Sequence, residues 1–198
     1  MHSAKLIFAP SAAWHDIAAN ERSVFHRLCL HTAVLALIPA VCWFYGITEV
    51  GWQVGLEPAQ KMTVPSALRI CVLFYLAMIV GVVALGYMVH WMAETYAAVD
   101  SSVSRGVTLI TYTATPFFLA GLLGLSPNLW FDISIGVLVA CYCVYLLYIG
   151  VPAVMHVAPE RGFLFASALV AVGLVAIVAL MAGTAILWDF GAEPTYTY

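Results

Sequence analysis

Two sets of residues in this sequence have types and spacings that could do chemistry. In the first, His90 and Glu94 lie four positions apart in the segment HWMAETY, which places them on one face of a helix. An imidazole beside a carboxylate can relay a proton or help to bind a metal ion. The pair is therefore a candidate proton- or metal-sensitive site. The alternative is a simple hydrogen bond at the boundary of a membrane span.

The second set is a row of hydroxyl groups in the segment TLITYTATPFFLAGLLG. Thr108, Thr111, Tyr112 and Thr115 fall on one helical face, just before Pro116. A proline inside a helix removes one backbone hydrogen bond. The row is compatible with a kinked helix whose hydroxyls bond their own backbone or a partner helix. It is also compatible with the polar lining of a small cavity, which makes it a candidate intramembrane cluster.

Five long apolar segments must position these residues. Each segment is long enough to cross a bilayer, which takes roughly 20 helical residues, and charged residues make up only 9% of the chain. Backbone groups in lipid must be satisfied within their own segment, so the spans are expected to be helices. The sequence predicts an all-α polytopic membrane protein with transmembrane helices near residues 28–48, 67–92, 107–125, 130–153 and 163–188.

The basic residues between the spans predict the orientation of the chain. With the N-terminus inside, five of the seven basic residues fall on the inner side and two on the outer side. The inner group is Lys5, Arg22, Arg27, Arg105 and Arg161, and the outer group is Lys61 and Arg69. This distribution predicts an N-in/C-out topology. The predicted organisation is a cytoplasmic segment at 1–27, a five-helix domain at 28–190 and a short periplasmic tail at 191–198.

The segment before the first span predicts a further, short helix. Pro10 and Ser11 are suited to its start, and Trp14 and Ile17 share one face. We predict an amphipathic helix near residues 11–24 that lies on the inner membrane surface, with Trp14 in the interfacial aromatic belt. The alternative is a partly ordered lead-in to the first span.

All six histidines fall on the inner half of the chain in this orientation. They are His2, His15, His26, His31, His90 and His156. One hypothesis is that some of them, with Glu94 or Glu21, form an inner-surface site that responds to pH or to a metal ion. The sequence leaves open whether a metal ion binds, and no cofactor is expected.

The fifth span contains small residues on nearly one side. Gly173, Ala176, Ala179 and Gly183 would let another helix backbone approach closely, which favours association in membranes. We interpret this helix-packing face first as a seam inside the bundle and second as a dimer face.

Several segments together resemble the Yip family of Ypt/Rab-interacting membrane proteins, in its bacterial inner-membrane branch. They are IFAPSAAWHDIAAN before the first span, GYMVHWMAETY, YTATPFFLAGLLG, and YLLYIGVPAVMHVAPERGFLFASALVAVGLV across the last two spans. The resemblance covers roughly residues 6–190. It implies a five-helix membrane domain with a cytoplasmic N-terminus and supplies no catalytic residues. Eukaryotic relatives associate with Rab-type GTPases, but this chain lacks their long cytoplasmic N-terminal region with its acidic Asp-Leu-Tyr-Gly-Pro type motif, which argues against Rab binding.

The expected function is that of a non-enzymatic inner-membrane protein of Yip type, an oligomerising scaffold, adaptor or membrane organiser. Its expected partners are the lipid bilayer, bound lipid, and another copy or another membrane protein, with no nucleic acid. The alternative is a small transporter or channel for an ion or small solute through a polar, proline-kinked helix bundle. An intramembrane enzyme is disfavoured because the sequence contains neither a His-Glu-x-x-His nor a Gly-x-Ser-x-Gly motif.

Overall fold

The computed structural model describes residues 10–19, 25–52, 59–96, 98, 101–188 and 193–197, and gives only the backbone at 19, 25–29 and 187. Its elements, in chain order, are α1 (Pro10–Ala19), α2 (Phe25–Tyr45), β1 (Lys61–Met62), α3 (Val64–Ala93), α4 (Val103–Ala120), α5 (Leu129–Met155), α6 (Pro159–Leu187) and β2 (Tyr196–Thr197). A π-helical turn, Gly46–Val50, extends α2, and a 3-10 turn, Gly121–Leu125, extends α4.

Five of these helices have the length and composition needed to cross a membrane. The candidate spans are Leu30–Val50, Val64–Ala93, Val103–Leu125, Leu129–Met155 and Pro159–Ile186. Each corresponds to one of the five segments predicted from the sequence, so the five-helix, all-α membrane fold is confirmed. Large apolar side chains cover the outer faces of these helices and are exposed in the isolated chain, as lipid-facing surfaces require.

Local sequence explains where the helices start and stop. Ser102 caps α4 by accepting a hydrogen bond from the Arg105 backbone N–H, at 3.2 Å, and Asn128 caps α5 in the same way. Pro159 begins α6 at a position where no helical hydrogen bond is lost. His156 ends α5 in the left-handed conformation, with a φ of 52°, which turns the chain toward α6.

Prolines inside three spans do not break them. Pro39, Pro116 and Pro152 lie within α2, α4 and α5, and each helix continues for several residues beyond its proline. In lipid the alternative to a continuous helix is a set of unsatisfied backbone groups, so the helical state persists despite the lost bond.

The helix α4 occupies the centre of the bundle. It packs against α2, α3 and α5, and it is the most deeply buried of the five spans. The last span, α6, packs on α5 and less extensively on α3, and the short α1 packs on α5. We call the end with α1 and the start of α4 the α1 end, and the end with β1 and β2 the sheet end.

Glycines allow α4 to approach its neighbours closely. A Cβ added to Gly86 of α3 would lie 2.5 Å from Cγ2 of Val107, and a Cβ on Gly106 would collide with the Gly86 carbonyl oxygen. On the other side of α4, a Cβ on Gly121 would overlap Pro39 of α2. These backbone-to-backbone contacts replace the hydrophobic driving force that lipid does not provide.

The sheet end is closed by a small antiparallel sheet that the sequence did not predict. β1 pairs with β2 with Lys61 opposite Thr197 and Met62 opposite Tyr196. Beside it, the hydroxyls of Thr63 and Thr195 are 2.6 Å apart. The Thr195 backbone N–H also donates to Ser66 Oγ in the first turn of α3, at 3.2 Å. The segment at 193–197 is therefore attached to the start of α3.

The helix α1 is present, but the predicted position of Trp14 is wrong. Trp14 and Ala13 are fully buried, and Ile17 is 7% exposed, so the apolar face of α1 contacts the protein. Gly150 of α5 makes room for the indole, because a Cβ there would lie 2.7 Å from Trp14 Cζ2. The sequence pattern correctly identified an amphipathic helix. It could not show that the bundle has a groove that competes with lipid for the apolar face.

We predict that Gly86 and Gly81, both in α3, respond differently to the same substitution. Gly86→Ala should lower the free energy of unfolding by about 1–3 kcal/mol, because the new methyl group must displace α4. Gly81→Ala is the matched control and should change it by no more than about 0.5 kcal/mol, since a Cβ there meets no atom within 4 Å. Denaturant titration of the purified protein in micelles measures both values. Equal effects of the two substitutions would contradict the close packing described here.

Candidate functional site

Three buried threonines form a polar cluster where α2 and α4 cross. Thr32 of α2 is 1% exposed, and Thr111 and Thr115 of α4 are fully buried. The hydroxyls of Thr32 and Thr111 are 3.0 Å apart and share a hydrogen bond. Thr115 Oγ1 donates to the Thr111 carbonyl oxygen at 3.0 Å. We refer to Thr32, Thr111 and Thr115 as the threonine cluster.

Tyr112 connects this cluster to two aromatic neighbours. Its half-buried ring lies 6.5 Å from the ring of Trp14 in an edge-on arrangement. On the α2 side, the ring of His31 lies 5.8 Å away at an angle of 41°. The indole of Trp14 therefore lies above Tyr112, and α1, α2 and α4 meet at this residue.

The indole N–H of Trp14 is buried, and no described residue accepts a hydrogen bond from it. A buried donor without an acceptor costs about 1–3 kcal/mol relative to the same group in water. The position of α1 is therefore supported by the shape of the groove and by aromatic contact rather than by this polar group.

The hydroxyl row predicted from the sequence is only partly brought together. Thr111 and Thr115 join Thr32, and Tyr112 faces the aromatic neighbours. Thr108 instead donates to the Ser104 carbonyl oxygen at 2.7 Å. Each threonine hydroxyl of the row thus bonds its own helix or α2, which is the first of the two alternatives given by the sequence.

His90 and Glu94 are near one another in the chain but have different surroundings. A ring nitrogen of His90 hydrogen-bonds to the hydroxyl of Ser101, and Ser101 Oγ also reaches the His90 carbonyl oxygen at 3.3 Å. Glu94 follows the end of α3 and is exposed. The partner of the imidazole is therefore Ser101, and this bond connects the end of α3 to the segment that enters α4.

The described histidines are distributed over separate elements. His15 is exposed on α1, His31 faces Tyr112, and His156 lies 3.4 Å from Arg105 Nη1. Among the described residues, no three His, Cys, Asp or Glu side chains come together in a way that could hold a metal ion. His2, Glu21 and the side chain of His26 lie outside the described residues, so the inner-surface hypothesis stays a prediction for them.

The small residues of α6 do not form a seam inside this chain. A Cβ added to Gly173 or Gly183 would meet no atom within 4 Å, and Ala179 is exposed. The first interpretation of this face is therefore wrong for the described part of the bundle. The close contacts within the chain involve other glycines, at the crossings of α4. The second interpretation, a dimer face, stays a prediction.

Sequence reasoning missed Trp14, Thr32 and His31 as members of the site. The signal for Thr32 and His31 was a polar pair near the start of an otherwise apolar span. Polar side chains inside a span usually face the bundle interior. Nothing in the spacing of α1 indicated which helix its tryptophan would contact, because that depends on the small residue at Gly150.

The described fold and site define a class: an all-α, multi-pass membrane protein whose intramembrane hydroxyls connect its helices. A family model described as the Yip1 domain matches residues 4–180. The chain belongs to the Yip1 domain family, which confirms the family predicted from the sequence. It is 34% identical over 182 residues to inner membrane protein YohC of Escherichia coli strain K12, covering 92% of this chain and 93% of that protein. The same figures hold for YohC of Escherichia coli O6:H1. No solved structure matches.

We predict that the threonine cluster stabilises the bundle through the Thr32–Thr111 pair. Replacing either residue by valine leaves the other hydroxyl buried without its partner and should lower the free energy of unfolding by about 1 kcal/mol. The double variant should lose less than the sum of the two single variants, because no unpaired hydroxyl remains at that contact. Denaturant titration of the four proteins provides the double-mutant cycle.

Thr113 supplies the matched control on the same helix. Its hydroxyl is buried and has no hydrogen-bond partner among the described residues. Thr113→Val should therefore leave stability unchanged or raise it. If Thr113→Val lowered the free energy of unfolding as much as Thr111→Val, the hydrogen bond between Thr32 and Thr111 would not explain the effect at Thr111.

Proposed function

We propose that this chain is a non-enzymatic, multi-pass protein of the bacterial inner membrane that assembles with further copies of itself into a membrane scaffold. Its membership of the Yip1 domain family and its five apolar helices support a role within the membrane. The name of the Escherichia coli relative supports the inner membrane as its location. The basic residues favour a cytoplasmic N-terminus and a periplasmic C-terminus.

The main support for this proposal is the exposure of the α6 side chains toward the sheet end. At the α1 end, Phe165, Ala166 and Leu169 are buried against the bundle. From about residue 174 onward most side chains of α6 are exposed around the whole helix. This part of α6 is available to a second protein in the membrane, since the helices of its own chain do not cover it.

The small residues on this exposed part favour a helix over lipid as the neighbour. A leucine or isoleucine side chain makes many contacts with lipid chains, whereas a glycine makes few. A glycine that faces lipid therefore contributes little to the stability of the helix in the membrane. Glycines facing another helix allow backbones to approach and gain van der Waals contact. Gly173 and Gly183 leave open space where such a helix would fit.

The proposal also covers lipid binding, cofactors and transport. Bound lipid would fill the open space beside α6 where a second copy does not. The chain needs no cofactor and no nucleic acid for this role. Transport receives little support, because the threonine hydroxyls that would line a path are engaged with one another and with the backbone of α4.

We predict that bulky residues on the exposed face of α6 weaken self-association. In bilayer nanodiscs or vesicles, energy transfer between labelled copies should show association of the wild-type chain. Gly173→Ile combined with Gly183→Ile should weaken it by about tenfold or more, because the side chains separate the helix backbones.

Gly136→Ile in α5 is the control, since Gly136 also has no atom within 4 Å of its Cβ position but lies on another span. It should associate like the wild type. A wild-type chain that stays monomeric at high density in the bilayer would overturn the proposal. Unchanged association of the α6 variant would place the interface elsewhere.

A further inference from the structure

We propose that α1 is a detachable cover, which alternates between its groove on α4 and α5 and the membrane interface, and which controls the access of water to His31 and Tyr112. The proposal concerns the α1 end of a single chain. It is independent of the assembly through α6 proposed above.

The contact that holds α1 is formed by one face of the helix. Of its described side chains, Ala13, Trp14 and Ile17 are buried, while Ser11, Ala12 and His15 are exposed. The indole of Trp14 is the largest of these buried side chains. Its seat is a gap in α5 that exists because Gly150 has no side chain, next to Leu109 of α4. Removing the indole should therefore weaken the docked state more than removing any other side chain of this face.

When α1 is docked in its groove, the indole N–H of Trp14 has no hydrogen-bond acceptor among the described residues. When α1 is released, this N–H can find one. At a membrane surface the same N–H can donate to water or to a lipid headgroup while the ring stays in the apolar layer, which is why tryptophan concentrates there. The amphipathic pattern of α1 suits this second position as well as the first. The helix therefore has two positions available to it, the groove in the bundle and the membrane interface.

Two polar side chains lie close to the indole, in addition to the apolar core residues that it contacts. Tyr112 contacts the ring of Trp14 edge-on, and His31 contacts Tyr112 from the α2 side. An ionisable side chain within a span usually marks a functional position. With α1 docked, Trp14 excludes water from this side of the pair. With α1 released, water reaches a phenol and an imidazole inside the α1 end of the bundle.

Cysteine labelling of the full chain in bilayer nanodiscs tests the proposal. The probe is Leu109→Cys, because Leu109 is fully buried beside the indole. The reagent is a water-soluble, membrane-impermeant maleimide, and the modified positions are identified by peptide mass spectrometry. In this background the introduced thiol should be labelled slowly, during openings of α1. Adding Trp14→Ala should raise its labelling rate by about tenfold or more, because the main contact of the cover is gone.

Trp91→Ala is the matched control, since Trp91 lies at the α1 end but is 68% exposed. It should leave labelling at position 109 unchanged. The native Cys42 and Cys71, buried toward the sheet end, report whether the whole bundle has opened. An unchanged labelling rate at position 109 after Trp14→Ala, with Cys42 and Cys71 unlabelled, would overturn the proposal.

If Trp14→Ala unfolds the protein, hydrogen exchange of the wild-type chain provides a second test of the proposal. The amides of α1 at 14–19 should exchange about a hundredfold faster than those of α6 at 163–169, because release of the cover does not require opening of the core. Equal, slow exchange of the two segments would mean that α1 stays docked, and the proposal would then be wrong.

Discussion

The bundle depends on how closely the backbone of α4 approaches its neighbours. Between helices in lipid, burial of apolar side chains gains little, because the lipid chains are as apolar as the side chains. Stability must then come from short-range contact, and Gly86 and Gly106 provide it by removing the side chains that would separate α3 from α4. Gly121 does the same against Pro39 of α2. The central position of α4 follows from these contacts on opposite sides.

A close crossing also determines where polar groups can lie. The threonine cluster forms because α2 and α4 are near enough for two short side chains to reach one another across the contact. The larger of the two clusters of buried apolar residues in the described part of the chain lies toward the α1 end. The described part of α6 that follows Leu169 does not contribute buried residues to this core. The closely packed crossings of α4 are therefore surrounded by protein, whereas this part of α6 is not covered by its own chain.

The sequence predicted the spans well, because length and composition alone identify a helix that crosses lipid. It predicted the existence of α1 for a similar reason, since amphipathic spacing is a local property. It failed where the outcome depended on a second helix. The glycines that pack are those that meet a partner backbone, and one-dimensional spacing singled out Gly173 and Gly183 instead. His90 was matched to Glu94 along one helix, whereas its partner, Ser101, comes from the following segment.

The sheet at the end opposite α1 connects positions that are far apart in the chain. Thr63 and Thr195, whose hydroxyls meet beside it, are separated by 132 positions, and α3 to α6 lie between them. β1 is synthesised before these four helices, and its partner strand only after them. The strands can pair only once every intervening helix has been made and inserted, so this contact is a late event in the biogenesis of the protein. Until β2 has been synthesised, β1 lacks the partner strand that it has in the folded chain.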